Sequence, residues 1–399
     1  METFTMHYRR KQFNTTIAVS LIALIPLAIT GCGGYTSKTA YTPPTSTTPA
    51  AGTTINGLNT IAKVSTTVDA KNGDGNPYAV VMVPSSATLT GATFHPGDLL
   101  VSNFSNSAGI NGAGTTIEDI QPSAAAPAPV TFSSSASGPV ALALNANYTA
   151  LWVANFGSAT DGSSGDVQVL NNTGQTFTYG NIMNKALWGS WGQAFNGQAV
   201  GATPAPAFFD TNVLTGGVYR LQGFPATASS GPNFAAATIT QIGTLGHSGS
   251  NNNNVVGPQG MVYISANDTL YVVDAVNNKI VSFSGVSTAT AMIQPTVVFS
   301  GTPLNQPAGL ALNPINGDLL VVNQGDNNLI ELSLPATTSG YMGASSMASV
   351  VGKKTLDPTV VANGAGAGLF GLTATKDTNG NLVVYFTNDN TNTVDVLKM

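Results

Sequence analysis

The stretch VVDAVNNKI (residues 272–280) places one carboxylate, Asp274, and two amides, Asn277 and Asn278, between apolar residues. Oxygen ligands this close could gather round a hard cation, and the same residue types could end a strand and turn the chain. Other reactive groups are few. Beyond residue 31 the chain holds two glutamates, Glu118 and Glu331, two histidines, His95 and His247, and one cysteine, Cys32. No Gly-x-Ser-x-Gly elbow, phosphate loop or paired carboxylates appear. In DAKNGDGNP (69–77), Asn72, Asp74 and Asn76 alternate. The calcium-loop pattern asks for an acid first, a glycine sixth and a glutamate twelfth, so this stretch reads as a turn-rich link. Trp188 and Trp191 could form a carbohydrate-stacking platform, but the reading taken is packing between neighbouring sheets, with the indole N–H on backbone.

What must position these groups is a repeat. Three segments align: GPQGMVYISANDTLYVVDAVNNKIVSFS (257–284), NQPAGLALNPINGDLLVVNQGDNNLIELS (305–333) and GLFGLTATKDTNGNLVVYFTNDNTNTVDVL (368–397). Each has glycine beside a short apolar run, a turn, a second apolar run closing on Asp or Asn, a tight polar turn and a third run. Asp274 is followed by Asn278 and Ile280, Asn323 by Asn327 and Leu329, and Asn388 by Asn392 and Val394. Asn212 fits in degraded form, with Gly216 and Val218 at the same offsets. Two more units end their second runs on Asn103 and Asn155 and carry longer loops before the third. Residues repeated at one offset serve what the units share, so this set is read as turn formers rather than ligands.

Asn-Gly turns at 316–317 and 379–380, with β-branched and aromatic residues in period two, indicate hairpin-linked antiparallel sheets. A fourth run follows each of the first five units (APVTFSS, QTFTYG, ATITQIG, PTVVFSG, ASVVGKK); the sixth has none, and NTIAKVSTTV (59–68) can supply it from the N-terminal side. The predicted fold is all-β: a six-bladed β-propeller of four-stranded antiparallel blades, closed by an N-terminal strand completing the last blade. Packing between neighbours lets residues 58–399 form one domain without one swelling core. The second-to-third strand turns and the loops 104–114, 156–165, 245–256 and 357–367 fall on one face, where propellers bind.

At LYVVDAVNNKIVSF the chain resembles the NHL repeat family, whose pattern is an apolar strand, Asp or Asn, a gap, a polar pair, a base, Ile and an apolar strand. Asp274, Asn278, Lys279 and Ile280 match, while Asn328 and Thr393 stand for the base in units five and six. The resemblance implies a six-bladed propeller and says little about chemistry. A gluconolactonase-like relative would be a metal-dependent hydrolase holding a divalent cation with Glu, Asn and Asp in the tunnel; Glu118 and Glu331 both fall in third strands, away from it. Lyase-type propellers use a histidine. Here His95, in FHPGD, precedes a second strand on the opposite face, and His247 lies in the loop LGHSGSNNNN.

The N-terminus carries Arg9, Arg10 and Lys11, then TTIAVSLIALIPLAIT and GCGG, the pattern of a secretory signal over residues 1–31. Ile29-Thr30-Gly31-Cys32 resembles the bacterial lipobox, which implies a diacylglycerol on Cys32 and an amide-linked acyl chain such as palmitate. Gly33 after the cysteine leans towards the outer membrane in a Gram-negative host. Residues 32–57, rich in Thr, Pro and Ser, read as a tether. Without residues 1–31, 10 Lys and Arg face 17 Asp and Glu, a net charge of −7 that offers no footprint for nucleic acid. The expectation is a lipid-anchored, monomeric cell-envelope module binding a protein, peptide or glycan on its loop face, with no cofactor, no metal and no evident catalytic residue. The alternatives are the lactonase-type hydrolase and a purely structural envelope protein.

Overall fold

The second run of each unit is apolar on both sides because both of its faces are buried. Leu151 and Val153 pack towards one neighbouring sheet, while Trp152 between them packs towards the other. Such strands need sheets on either side, and the chain supplies them in a ring. A computed structural model describes residues 52–157, 165–199, 202–227, 231–248, 255–335, 347–359 and 368–399. Cys32 and the segments read as the signal and most of the tether lie outside these residues.

Six four-stranded antiparallel sheets form the blades. Blade one comprises Gly75–Met82, Leu99–Ser105, Ile117–Ile120 and Pro129–Ser133; blade two, Pro139–Leu144, Ala150–Asn155, Asp166–Asn171 and Thr176–Ile182. Blade three comprises Ser190–Phe195, Ala207–Asn212, Gly217–Gln222 and Thr238–Thr244; blade four, Pro258–Ile264, Thr269–Asp274, Lys279–Ser284 and Thr296–Ser300. Blade five comprises Pro307–Leu312, Leu319–Asn323, Asn328–Ser333 and Ser349–Thr355. Blade six takes Leu369–Lys376, Leu382–Asn388 and Thr393–Lys398 from the C-terminus and Thr60–Thr66 from the N-terminal side. Thr60 pairs with Lys398 and Thr66 with Thr393, so the seam is a backbone ladder that removes two open edges.

Apolar burial follows the ring. Six clusters each join one pair of neighbouring blades, and a seventh gathers on the axis around Tyr78, Phe104, Phe156, Trp191 and Phe370. The cluster at the seam, between blades six and one, has only five buried members, Val80, Leu99, Val101, Ile120 and Val394.

The folded part starts earlier than the sequence pattern suggests. Residues 52–57, read as the end of the tether, pack against blades five and six because Ile55 and Leu58 are apolar and fully buried there. The buried Glu331 fixes this segment: its Oε2 accepts the Ile55 N–H at 2.8 Å, and its Oε1 accepts the Asn313 amide at 2.7 Å.

Candidate functional site

All six first strands line the axis, and each breaks register near its start. At the break stands a side chain of variable size, Tyr78, Val140, Trp191, Gln259, Ala308 or Phe370, followed by a small residue, Ala79, Ala141, Gly192, Gly260, Gly309 or Gly371. The small residue is required by close approach. A Cβ on Gly371 would lie 2.4 Å from the Tyr78 carbonyl oxygen of the next blade, and one on Gly309 would lie 2.2 Å from that of Phe370. Three hydroxyls reinforce the contact. Ser102, Thr211 and Thr387 accept the N–H groups of Ala79, Gly192 and Gly371 at 3.0, 2.8 and 2.9 Å. Thr211 and Thr387 also donate to the carbonyls of Gln259 and Tyr78 in the following blade, at 3.2 and 3.3 Å.

Aromatic rings close the axis. Tyr78 stacks on Phe370 with centroids 3.9 Å apart and meets Phe104 at 4.4 Å and Trp191 at 5.6 Å; Phe156 stands perpendicular to Trp191 at 5.6 Å. A cavity of about 90 Å³ is lined by one triplet from each blade: 78–80, 140–142, 191–193, 259–261, 308–310 and 370–372. Gln193 and Gln259 bring buried amide oxygens without protein partners. Burial, aided by the charge of Asp389, drives the Tyr78 hydroxyl far above its usual range, so it stays neutral. Burial also pushes the Asp389 carboxyl up to about 6.

The repeated asparagines surround this axis and act between blades as well as within turns. At Asn212 the side chain accepts the N–H groups of Leu214 and Thr215, both at 3.0 Å, and Asp274 accepts that of Asn277 at 3.2 Å. The amide of Asn212 also donates to the carbonyls of Ala186 and Trp188. Elsewhere the strand-ending side chain likewise grips the loop that brings the chain in from the preceding blade. Asn103 donates to the Thr67 carbonyl at 2.7 Å, Asn323 to that of Pro303 at 2.8 Å, and Asn388 to the Asp357 carboxylate at 2.9 Å. Asn155 accepts the Ser137 N–H at 3.1 Å and donates to Asp166 at 2.8 Å. An amide both donates and accepts, which a carboxylate at the same offset cannot do.

Asn278, Asn327 and Asn392, four positions on, adopt the left-handed conformation with φ of 48°, 52° and 52°, and Gly216 stands in for them with φ 76°. Their side-chain oxygens reach forward. Asn278 accepts the Gln306 N–H at 2.7 Å, Asn327 that of Gly368 at 3.1 Å, and Asn392 that of Asn76 at 2.6 Å across the seam.

Asp274 and Asn277 therefore bond to each other, and Asn278 to backbone at the next blade. Asp69 and Asp74 in the 69–77 link do the same: Asp69 accepts from the N–H groups of Lys71 and Asn72, and Asp74 from the N–H and hydroxyl of Thr115. Glu118 is fully buried in its third strand beside Asn103, and neither Glu118 nor Glu331 lines the axial cavity. His247 is exposed on the loop face, whereas His95 lies in the turn before blade one's second strand.

The two tryptophans part company. Trp191 packs, but on the axis rather than between blades, at 8% exposure. Trp188 is 38% exposed on the loop face, with the Lys185 ammonium 5.5 Å from its ring centre. What sequence reasoning missed is the position directly after the strand-ending residue. There Phe104, Phe156 and Val213 supply the axial cluster and Asp389 its charge, a signal available from the same alignment one offset on.

No protein-family model matches the chain, and no curated protein matches it. Among solved structures, a structural-genomics protein of unknown function from Bacteroides thetaiotaomicron superposes with a TM-score of 0.53 at 11% identity, over 85% of this chain and 75% of that one. A nidogen/laminin complex gives 0.48 at 15% identity, over 72% and 87%. A virginiamycin B lyase from Staphylococcus aureus gives 0.46 at 12% identity, over 85% and 99%. The likeness is one of fold, a six-bladed propeller.

Proposed function

We propose that this chain is an NHL-like propeller exported as a lipoprotein, anchored through Cys32 to the cell envelope, the outer membrane in a Gram-negative host. On this reading it binds a protein, peptide or glycan on its loop face as a monomer. The observation that carries the binding reading is Trp188, an indole left 38% exposed on the face where the blades' connecting loops gather. Other exposed apolar side chains on that face are Ile110, Met183 and Val276. Exposed aromatic and methionine side chains are the surface groups that interfaces favour. Aromatic packing on the axis favours a partner docked across the rim over one threaded through it.

Two measurements test the reading. Cys32→Ala should move the protein from the membrane to the soluble fraction and abolish labelling by an acyl-chain analogue. Against a panel of envelope glycans and peptides on a biosensor, Trp188→Ala should weaken the best binder at least about tenfold while the melting temperature stays within about 2 °C. A best binder that holds Trp188→Ala as tightly as the parent chain would refute this face as the site.

A further inference from the structure

The turn FHPGD lies on the face opposite the proposed binding rim, and its histidine does not stand alone. The donor atoms of His95, Asp98 and Asp119 all lie within 4.8 Å of one another. Asp98 immediately precedes blade one's second strand and Asp119 lies near the end of the third. The strand pairing sets Leu100 opposite Asp119, so Asp98 and Asp119 share one face of the sheet, the face turned to blade two. Asp98 is 2% exposed, and Oδ1 of Asp119 is buried without a hydrogen-bond partner. Among the described residues no lysine or arginine pairs with either carboxylate; the one ion-pair partner is His95 itself, its Nδ1 3.2 Å from Asp98 Oδ2. Two carboxylates face one imidazole here, with one side open, since the His95 side chain is 66% exposed.

We propose that His95, Asp98 and Asp119 form a three-ligand site for a divalent transition-metal ion of the zinc type. One imidazole nitrogen with two carboxylate oxygens suits such an ion, whereas calcium and magnesium take oxygen ligands. For the His95–Asp98 pair the spacing agrees: ligands about 2.0–2.2 Å from a tetrahedral ion stand roughly 3.3–3.6 Å from each other, close to that separation of 3.2 Å. Asp98 is oriented in advance, because its Oδ2 also accepts the His95 backbone N–H at 2.6 Å. The bound ion pins the 83–98 loop to the third strand of blade one. That loop already touches blade two, where Thr93 donates its backbone N–H to the Asn172 carbonyl at 2.9 Å. The fourth coordination position faces solvent.

The test is calorimetric titration of the purified full chain with zinc chloride after chelator treatment, paired with thermal unfolding. One zinc per chain should bind, and zinc in excess should raise the melting temperature by about 3 °C or more, while calcium and magnesium leave it unchanged. His95→Gln and Asp119→Asn should each weaken zinc binding at least about tenfold. Without metal, Asp119→Asn should melt no lower than the parent chain, which shows that its lost response is not misfolding. Absence of zinc binding by the parent chain would overturn the proposal. So would zinc held equally well by both variants, which would move the ion to another group such as His247 or Cys32.

Discussion

Blades four to six and blades one to three join their neighbours in different ways. In the first half, one asparagine per blade, Asn278, Asn327 or Asn392, reaches from a left-handed turn residue to a backbone N–H in the next blade. The second half relies on rings. Trp152 of blade two stacks on Phe208 of blade three at 3.6 Å, and Phe224 and Phe234 close round it; Phe104, Phe156 and Trp191 meet on the axis. Short identical turns can carry a directional hydrogen bond at a fixed offset. Long and varied loops cannot keep that offset, and there apolar area does the joining. The regular half is thus a scaffold held by geometry, and the irregular half offers the loop surface on which specificity can vary.

The sharpest way to break this contrast is Trp152→Ala. The side chain is 1% exposed and central to the cluster between blades two and three, so truncation removes its burial and leaves a cavity in a sheet interface. The expected loss is about 3–5 kcal/mol by urea unfolding. A loss under about 1 kcal/mol would mean that rings do not hold this half together.

Blade one supplies the next largest effect. Its strand-ending Asn103 faces Glu118, the amide nitrogen 3.5 Å from Oε1, where blades four and five place Val281 and Ile330 at the corresponding third-strand position and blade six places Asp395. Burial above all holds the Glu118 carboxyl up at about 8, against a hydrogen bond from Thr116 and helped by the charges of Asp69 and Asp74. The folded state keeps this proton over a range in which the unfolded chain, at the ordinary value of 4.5, has lost it. The stabilisation is therefore complete below about pH 4.5 and is lost as pH rises through about 8. The Glu118 contribution should fall by on the order of 3 kcal/mol from pH 5 to pH 9, and Glu118→Gln should remove that part of the slope. An unchanged slope in the variant would show that Glu118 ionises freely in the fold.

The two halves also differ in how far sequence alone reveals them. The ring of six, the seam and every fourth strand could be read, because apolar periodicity and Asn-Gly turns are local and the turn residues after the strand-ending Asp or Asn recur at one offset. The left-handed turn at Asn278, Asn327 and Asn392 was legible for the same reason. Their forward bonds were not, since Gln306, Gly368 and Asn76 share no residue type and only their backbone N–H groups are used. Residues 52–57 were misplaced because their composition matches the tether, while just Ile55 and Leu58 decide their burial. The axial rings escaped notice because each blade contributes a different residue at the break in its first strand. His95 and Asp98 come from one turn and Asp119 from a strand distant in sequence, and strand register brings them together.

The smallest effect is the most diagnostic for the regular half. Asn392→Ala removes the bond to Asn76 and places a β-carbon residue without asparagine's local support at φ 52°; Asn278→Ala does the same at φ 48°. Asn→Gly at either position keeps the conformation and removes the bond alone, which isolates a hydrogen bond worth about 0.5–1.5 kcal/mol. The two sites share chemistry and differ in what surrounds them. Asn278 spans an interface with eleven buried apolar residues, Asn392 one with five. With less apolar area to hold blades six and one in place, loss of the seam bond lets the ladder between Thr60–Thr66 and Thr393–Lys398 fray. Asn392→Gly should therefore cost about 1 kcal/mol more than Asn278→Gly and should raise amide exchange along Thr60–Thr66. Equal costs would show that the seam is an ordinary interface, held by its backbone ladder rather than by its stitch.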